Sequence, residues 1–309
     1  MLNIHDLSEQ YLNFCKYQKK LSEKTLKAYR IDLSQFLDFI SNTNGNLNRI
    51  YLSTYITDLH KLYKPKSVKR KIACLKAFCN YLAYEEIIEK NPFDKINVKF
   101  QEPFLLPKTI SLDNIQKILL TVYDELKSKE LSNFKHNTLL RDVTVLELLF
   151  ATGMRVSELC CLNIDDVNLE QGTVKIFGKG SKERMIQIEN AEVIEALKRY
   201  KWTFYEKMLD SNCFFINKLN TRLSEQSVRF MIRKYVKKAG IHQHITPHMF
   251  RHSFASLLLE EDVDIRFIQQ LLGHSSIVTT QIYTHVTPNK QRYILSAKHP
   301  RNKLSSHKG

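Results

Sequence analysis

The sequence predicts a mainly α-helical protein of two domains: a helical bundle, then a larger mixed α/β domain with a small β-hairpin. Three observations carry this. Apolar residues recur at helical spacing along most of the chain. Only 173–188 alternates as strands do, on either side of a break that contains glycine. And 309 residues exceed what one core comfortably holds, while 92–110 contains three prolines and no helical period. The expected division is a bundle over 1–91, a linker over 92–110 and a second domain over 111–309.

The first helix runs through Leu7, Tyr11, Leu12 and Phe14. The second opens at Ser22, an N-cap residue type, buries Leu26, Leu33, Phe36 and Ile40, and breaks at Asn44-Gly45. A third covers Leu52, Tyr55, Ile56 and Leu59, and a fourth starts near Ser67 and buries Ile72, Leu75, Phe78 and Leu82. Past the linker, Ser111 caps a helix through Ile115, Ile118 and Val122. Residues 127–137 are polar and read as a surface loop. Leu139 to Leu149 forms a strongly apolar helix that ends at Thr152-Gly153. Strands 173–177 and 183–188 flank the turn Gly178-Lys179-Gly180-Ser181-Lys182. Helices follow at 191–209 and 224–239. Residues 244–285 then set Phe254, Leu257, Leu258, Ile265, Ile268, Leu271 and Leu272 at helical spacing, and the last residues read as a disordered basic tail.

Hydrophobic residues make up 43% of the chain, enough for globular folding, and with 8 glycines and 7 prolines collagen-like classes are excluded. The net charge is +15, spread over both expected domains, which suits a clamp around a polyanion; a basic protein without a nucleic-acid partner is the alternative. None of the six cysteines forms a C-x-x-C pair, so they read as buried thiols of a reducing cytoplasm. The first twenty residues lack the apolar stretch of a signal peptide, and no run reaches the roughly 18 apolar residues of a membrane span.

Basic residues gather where the fourth helix begins. Lys66, Lys69 and Arg70 there suit contact with phosphate, as does Arg222 ahead of the basic face of 224–239. A solvated face is the competing reading for each. Several other groups suit phosphate chemistry. Arg155 follows a Thr-Gly break and offers a fixed fork of donors, although an ion pair with Glu158 would explain it equally. Lys179 sits between two glycines, where a lysine can approach a ligand and donate a proton, or simply form a polar turn. His248 and Arg251, three apart, share one helix face. His274 follows Gly273 at a helix end, and Tyr283 lies nine residues on. A phenol with a free pKa of about 10 attacks only with an adjacent base and charge stabilisation. His242, His244, His248 and His252 are dense enough to raise a zinc site. No carboxylate or cysteine at ligand spacing joins them and Thr246-Pro247 interrupts them, so the expectation is no metal.

Taken together, Arg155, Lys179, His248-x-x-Arg251, His274 and Tyr283 resemble the tyrosine site-specific recombinases, or phage integrases, and most closely their bacterial Xer branch. The runs ATGMRVSEL, GKGSKER, TPHMFRHSFAS and LLGHSSIVTTQIYTHV stand in that family's order and spacing, and the likeness covers nearly the whole chain. The resemblance implies a SAM-like, core-binding N-terminal bundle and a catalytic second domain. It further implies that Arg155 and Arg251 hold the scissile phosphate and that Tyr283 attacks it to give a 3′-phosphotyrosyl link. Lys179 would protonate the leaving 5′-oxygen, His248 would handle the tyrosine proton, His274 would bond the phosphate, and Glu158 would steady the arginine. No cofactor, ATP or metal is implied. The partners would be duplex DNA at a specific site and a tetramer of this chain, or of this chain with a paralogous recombinase. An accessory protein or DNA translocase is a further possible partner; a membrane is not expected.

The family often has glycine where Asp262 stands, the 127–137 segment looks long, and no arm-site domain is expected ahead of the bundle. Dimer resolution, integration of a mobile element, and an idle architectural DNA-binding protein are the readings to separate. The filled catalytic positions speak against the last. The target sequence is not legible in the residues.

Overall fold

Helix-start signals and apolar spacing decide most of what is seen. The computed structural model describes residues 4–43, 47–96, 107–128, 130–178 and 183–273, and the chain divides into two units, Met1–Phe104 and Leu105–Gly309.

The first unit contains α1 (Ile4–Tyr17), α2 (Glu23–Asn42), α3 (Arg49–Leu62) and α4 (Pro65–Tyr84). The Ser22 side chain accepts from the Thr25 amide, and Asn48 accepts from Ile50 and Tyr51, so two helix starts are capped in the usual manner. The last helix starts at Pro65 and not near Ser67. A proline at the first helical position is already set at a helical φ and loses no needed N–H. Leu33, Phe36, Leu52, Leu75 and Phe78 fill the core, and Tyr11 lies against Phe78 at 5.4 Å between ring centroids. Phe93 packs into this core and Ile96 lies against it, so the beginning of the 92–110 segment belongs to the bundle.

One charge cluster is buried in the bundle. The side chains of Asp32 and Lys71 are 0% and 4% exposed, and Lys71 Nζ lies 2.8 Å from Asp32 Oδ1. Arg70 pairs with the other carboxylate oxygen, and Lys71 also donates to Gln35. Removing one member of a buried pair strands the other's charge, at about 3–5 kcal/mol. Asp32→Ala is therefore expected to destabilise the bundle by about that much in urea denaturation. Replacing both Asp32 and Lys71 with leucine should recover most of the loss.

The second unit opens with α5 (Leu112–Leu126), capped by Ser111, and α6 (Asn133–Thr152). The expected loop over 127–137 is in part helix. Ser132 accepts from the Lys135 amide and starts α6 there, a cap hidden in a polar run. Then come α7 (Val156–Cys161), a 3-10 turn at Ile164–Asp166, and strands β1 (Val167–Asn168), β2 (Thr173–Phe177) and β3 (Glu183–Gln187). They form an antiparallel sheet in the order β1-β2-β3, with Val174 opposite both Val167 and Ile186. Its first strand is two residues long, too short to show an alternation in sequence. Helices α8 (Ala191–Ser211), α9 (Glu225–Lys238), α10 (Pro247–Glu260) and α11 (Ile265–Leu272) follow.

The α6 helix is buried nearly all round, and its polar groups are satisfied. Asp142 accepts from Tyr235 Oη at 2.8 Å and Glu147 from Tyr123 Oη at 2.8 Å. It ends at Gly153, whose φ is +58°, and a Cβ there would lie 2.5 Å from Phe254 of α10. Glycine is thus demanded twice, by the left-handed cap and by the close approach of α10. Ile110 packs into the core of this unit, and its amide donates to Ser253 Oγ at 2.7 Å, which ties the end of the 92–110 segment to α10. Ala255, Ile268 and Leu272 form a satellite core between α10 and α11. At the turn between those helices Asp262 holds φ 62°, a conformation aspartate tolerates better than most residues.

Five cysteines are buried as expected, but Cys161 is exposed at the end of α7. No described helix is long and apolar enough to cross a membrane.

Candidate active site

Three of the six predicted catalytic residues, Arg155, His248 and Arg251, lie among the described residues, and all three come to the ends of α6, α7 and α10. Lys179, His274 and Tyr283 lie outside them.

Arg155 immediately precedes α7. Glu158, one turn on, accepts from the Arg155 amide at 2.8 Å and from its Nη1 at 2.6 Å. This is the ion pair that the sequence offered as the ordinary alternative, but Glu158 is only 7% exposed. The contact fixes both the backbone and the side chain of the arginine. A second arginine, Arg184 of β3, closes on the same carboxylate at 2.7 Å and 3.2 Å. Burial pushes the Glu158 carboxyl up, but the hydrogen bonds from Arg184 and Arg155 outweigh it and hold the group below the usual carboxylate range.

Arg251, on α10, is 4% exposed. Its Nη1 donates to the Gly153 carbonyl at 3.0 Å and its Nη2 to the Leu272 carbonyl at 2.7 Å. These bonds fix the plane of the guanidinium and join the α6–α7 turn, two residues ahead of Arg155, to the end of α11. Arg155 and Arg251 thus converge from segments about a hundred residues apart, as the hydrogen bond across 98 positions records.

His248 lies one turn before Arg251 on the same helix. The residue is exposed overall, yet partial desolvation of its ring and then the charges of Arg229, Arg251 and Arg155 hold the imidazole below its ordinary value of about 6.5, against a weaker opposing pull from Glu225. It is therefore neutral at physiological pH and can accept a proton. Because the folded value is depressed, an unfolded chain binds a proton on His248 between the two values while the folded chain does not. Acidification through that window should weaken the fold. An NMR titration is expected to place the His248 midpoint below 6.5, and a midpoint above it would contradict the crowding of positive charge. His252, a turn further, is lowered in the same direction, first by burial and then by His248 and Arg251.

His248 opens into a cleft of about 340 Å³ lined also by Lys108, His244, Thr246, Met249 and His252. Among the described residues no group of His, Cys, Asp or Glu is arranged to hold a metal. A larger hollow among the described residues, about 940 Å³, lies elsewhere, along α8 around Phe204 and the 89% exposed Trp202, and none of the predicted residues line it.

The predicted phosphate contacts separate into two kinds. Lys66 and Lys69 are exposed on the first turns of α4, whose N-cap Lys64 offers no side-chain cap, while Arg70 is half-exposed and paired with Asp32. Arg222 is exposed but anchored: its Nη1 donates to the Cys160 and Leu162 carbonyls at 3.0 Å and 3.2 Å, and its Nη2 to Asn163 Oδ1 at 2.7 Å. It braces the end of α7. Sequence reasoning missed Arg184. The signal was present, since Arg184 is in phase with the buried Ile186 on a strand whose alternate residues Glu183, Met185 and Gln187 face out.

Residues 121–290 match the model of the Phage integrase family, and residues 8–86 match that of the phage integrase N-terminal SAM-like domain. A tyrosine recombinase of Agathobacter rectalis is 53% identical across 97% of this chain and 98% of its own length. Tyrosine recombinase XerC of Thermodesulfovibrio yellowstonii is 38% identical across 98% of this chain and 99% of its own. Among solved structures, the XerH site-specific recombinase bound to a palindromic difH substrate in a post-cleavage complex aligns with a TM-score of 0.73 at 26% identity, over 94% of this chain and 84% of that one.

Proposed function

We propose, from the premise that the chain belongs to the phage integrase family and is a site-specific tyrosine recombinase, how its residues divide the reaction. The family cleaves and rejoins DNA through a phosphotyrosine intermediate. Arg155 and Arg251 grip the two non-bridging oxygens of the scissile phosphate. Tyr283 attacks the phosphorus, and its proton passes to the neutral His248. The bond to the 5′-oxygen breaks as Lys179 gives that oxygen a proton, and His274 donates to a phosphate oxygen. One phosphoester replaces another, so the bond energy is kept and no ATP is consumed. Rejoining is the same exchange in reverse.

The observation that supports this best is the convergence of Arg155, Arg251 and His248, where burial and then the charges of Arg229, Arg251 and Arg155 lower the imidazole's affinity for a proton. Positive charge is concentrated where a pentacoordinate phosphorane would carry negative charge, and the groups holding it are fixed beforehand by Glu158, Gly153 and Leu272.

The partner is duplex DNA, gripped by both basic units, with Lys66 and Lys69 at the start of α4 contacting phosphates. The likeness to the XerC recombinase favours resolution of chromosome or plasmid dimers over integration of a mobile element, and action as a tetramer of this chain or of this chain with a paralogue. The test uses duplexes that the protein itself selects from a random-sequence pool, each carrying one nick and incubated with EDTA. The nick lets the freed fragment leave, so a covalent protein–DNA adduct should accumulate on a denaturing gel. Cleavage that requires a divalent metal would overturn the mechanism.

A further inference from the structure

Arg184 stands in none of these roles, yet its guanidinium joins three segments that carry or lead into the site. Its side chain is 11% exposed on the inward face of β3. Two terminal nitrogens form a fork onto the Glu158 carboxylate, which in turn holds Arg155. The third nitrogen, Nε, donates at 2.9 Å to the carbonyl of Leu271, in the last turn of α11. In sequence the strand begins four residues after Lys179, and Gly273, the residue before His274, caps α11. A Cβ on Gly273 would lie 2.9 Å from Arg184 Nη1, so glycine is needed there both for its φ of +64° and for the arginine beside it.

Two arginines therefore hold adjacent carbonyls at one helix end: Arg184 takes Leu271 and Arg251 takes Leu272. Both cations sit where the partial negative charge of the helix end favours them. The bonds of Arg184 differ from those of a structural surface pair. They cross 26 and 87 positions and come from one rigid plane, so a shift of any one segment strains the other two.

We propose that Arg184 is a positioning residue for strand cleavage, setting the mutual register of Arg155, the start of β3 and the end of α11. The inference rests on the reaction proposed above. A lysine at 184 could keep the charge but could not reproduce the fork and the third bond together. A displacement of about 1 Å in a reacting group costs roughly 10²-fold in rate. That is the expected loss for Arg184→Lys and Arg184→Ala in single-turnover adduct formation at saturating protein.

The test uses full-length protein and the self-selected nicked duplexes. DNA affinity, read by anisotropy, should stay within about two-fold of wild type, separating slow chemistry from weak binding. The double variant Glu158→Gln with Arg184→Ala should react no more slowly than the worse single variant, because both changes break one link. Free guanidinium at low concentration should restore part of the Arg184→Ala rate. Wild-type rates in both variants, a deficit that merely follows lost affinity, or full additivity with Glu158→Gln would overturn the proposal. Arg184→Lys keeps the charge and serves if Arg184→Ala does not fold. Parallel Tyr283→Phe protein separates the two levels. A Tyr283-dependent adduct together with an indifferent Arg184 removes only the positioning role. An adduct that does not depend on Tyr283 removes the reaction and the inference with it.

Discussion

Tyr283→Phe protein is expected to bind the selected duplexes as wild type does and to form no covalent adduct. The change deletes one oxygen and leaves the ring, so packing and charge are preserved. What disappears is the only protein atom that the proposed reaction bonds to phosphorus. A neutral phenol is a poor nucleophile with a pKa of about 10, which is why the proposed site supplies a neutral imidazole and two guanidiniums beside it. The loss should therefore be complete within the sensitivity of the gel, against unchanged affinity. Persistent adduct in this variant would transfer the nucleophile to another residue and sink the assignment. Loss of binding in step with loss of adduct would make Tyr283 a contact residue and not the attacking group.

Arg251→Ala should be the second most damaging change, because the residue has two jobs that both fail at once. Gly153 and Leu272 lie fully within the protein, and their carbonyls would be left without the donors that Arg251 supplies. An unsatisfied buried carbonyl costs about 1–3 kcal/mol, so thermal and chemical denaturation should both register the loss. The phosphate would also lose one preorganised pair of donors, a defect of about 10²–10³-fold in cleavage by analogy with oxyanion holes. Arg251→Lys should restore little, since a single ammonium cannot bond both carbonyls and a phosphate in one plane. If Arg251→Lys matched wild type in rate and stability, the fork would have no special role.

Most helices were legible because their apolar faces repeat and their starts are marked. Ser22 and Ser111 cap helices as the sequence suggests. Ser132 was not recognised, for it stands within a run of polar residues that looks like a loop until the helix behind it is seen. Phe93 and Ile110 were read as linker because a short segment that packs on a core carries no periodicity of its own. Lys71 illustrates the limit for charge. In sequence it is one of several lysines and arginines near α4, and only the tertiary fold shows that Asp32, 39 positions away, holds it inside the bundle.

At the site, local spacing was enough to place His248 and Arg251 on one face and to pair Arg155 with Glu158. The role of Arg184 was out of reach of local reasoning. Its partners lie 26 and 87 positions away, and nothing within a window of one helix or strand connects them. Arg222 shows the converse: a basic residue ahead of a basic helix looks like a DNA contact, yet it donates to the carbonyls that end α7.

The exposed indole on α8 has a practical consequence for how this protein is observed. Trp202 is the chain's one tryptophan, and it is already 89% open to water. Its emission should be red-shifted in the native state and should scarcely move when the chain denatures. Tryptophan fluorescence is thus blind to the stability changes discussed above, which circular dichroism of the helices would follow. The same indole becomes a clean reporter for anything that covers α8, since a blue shift there cannot come from refolding of the core.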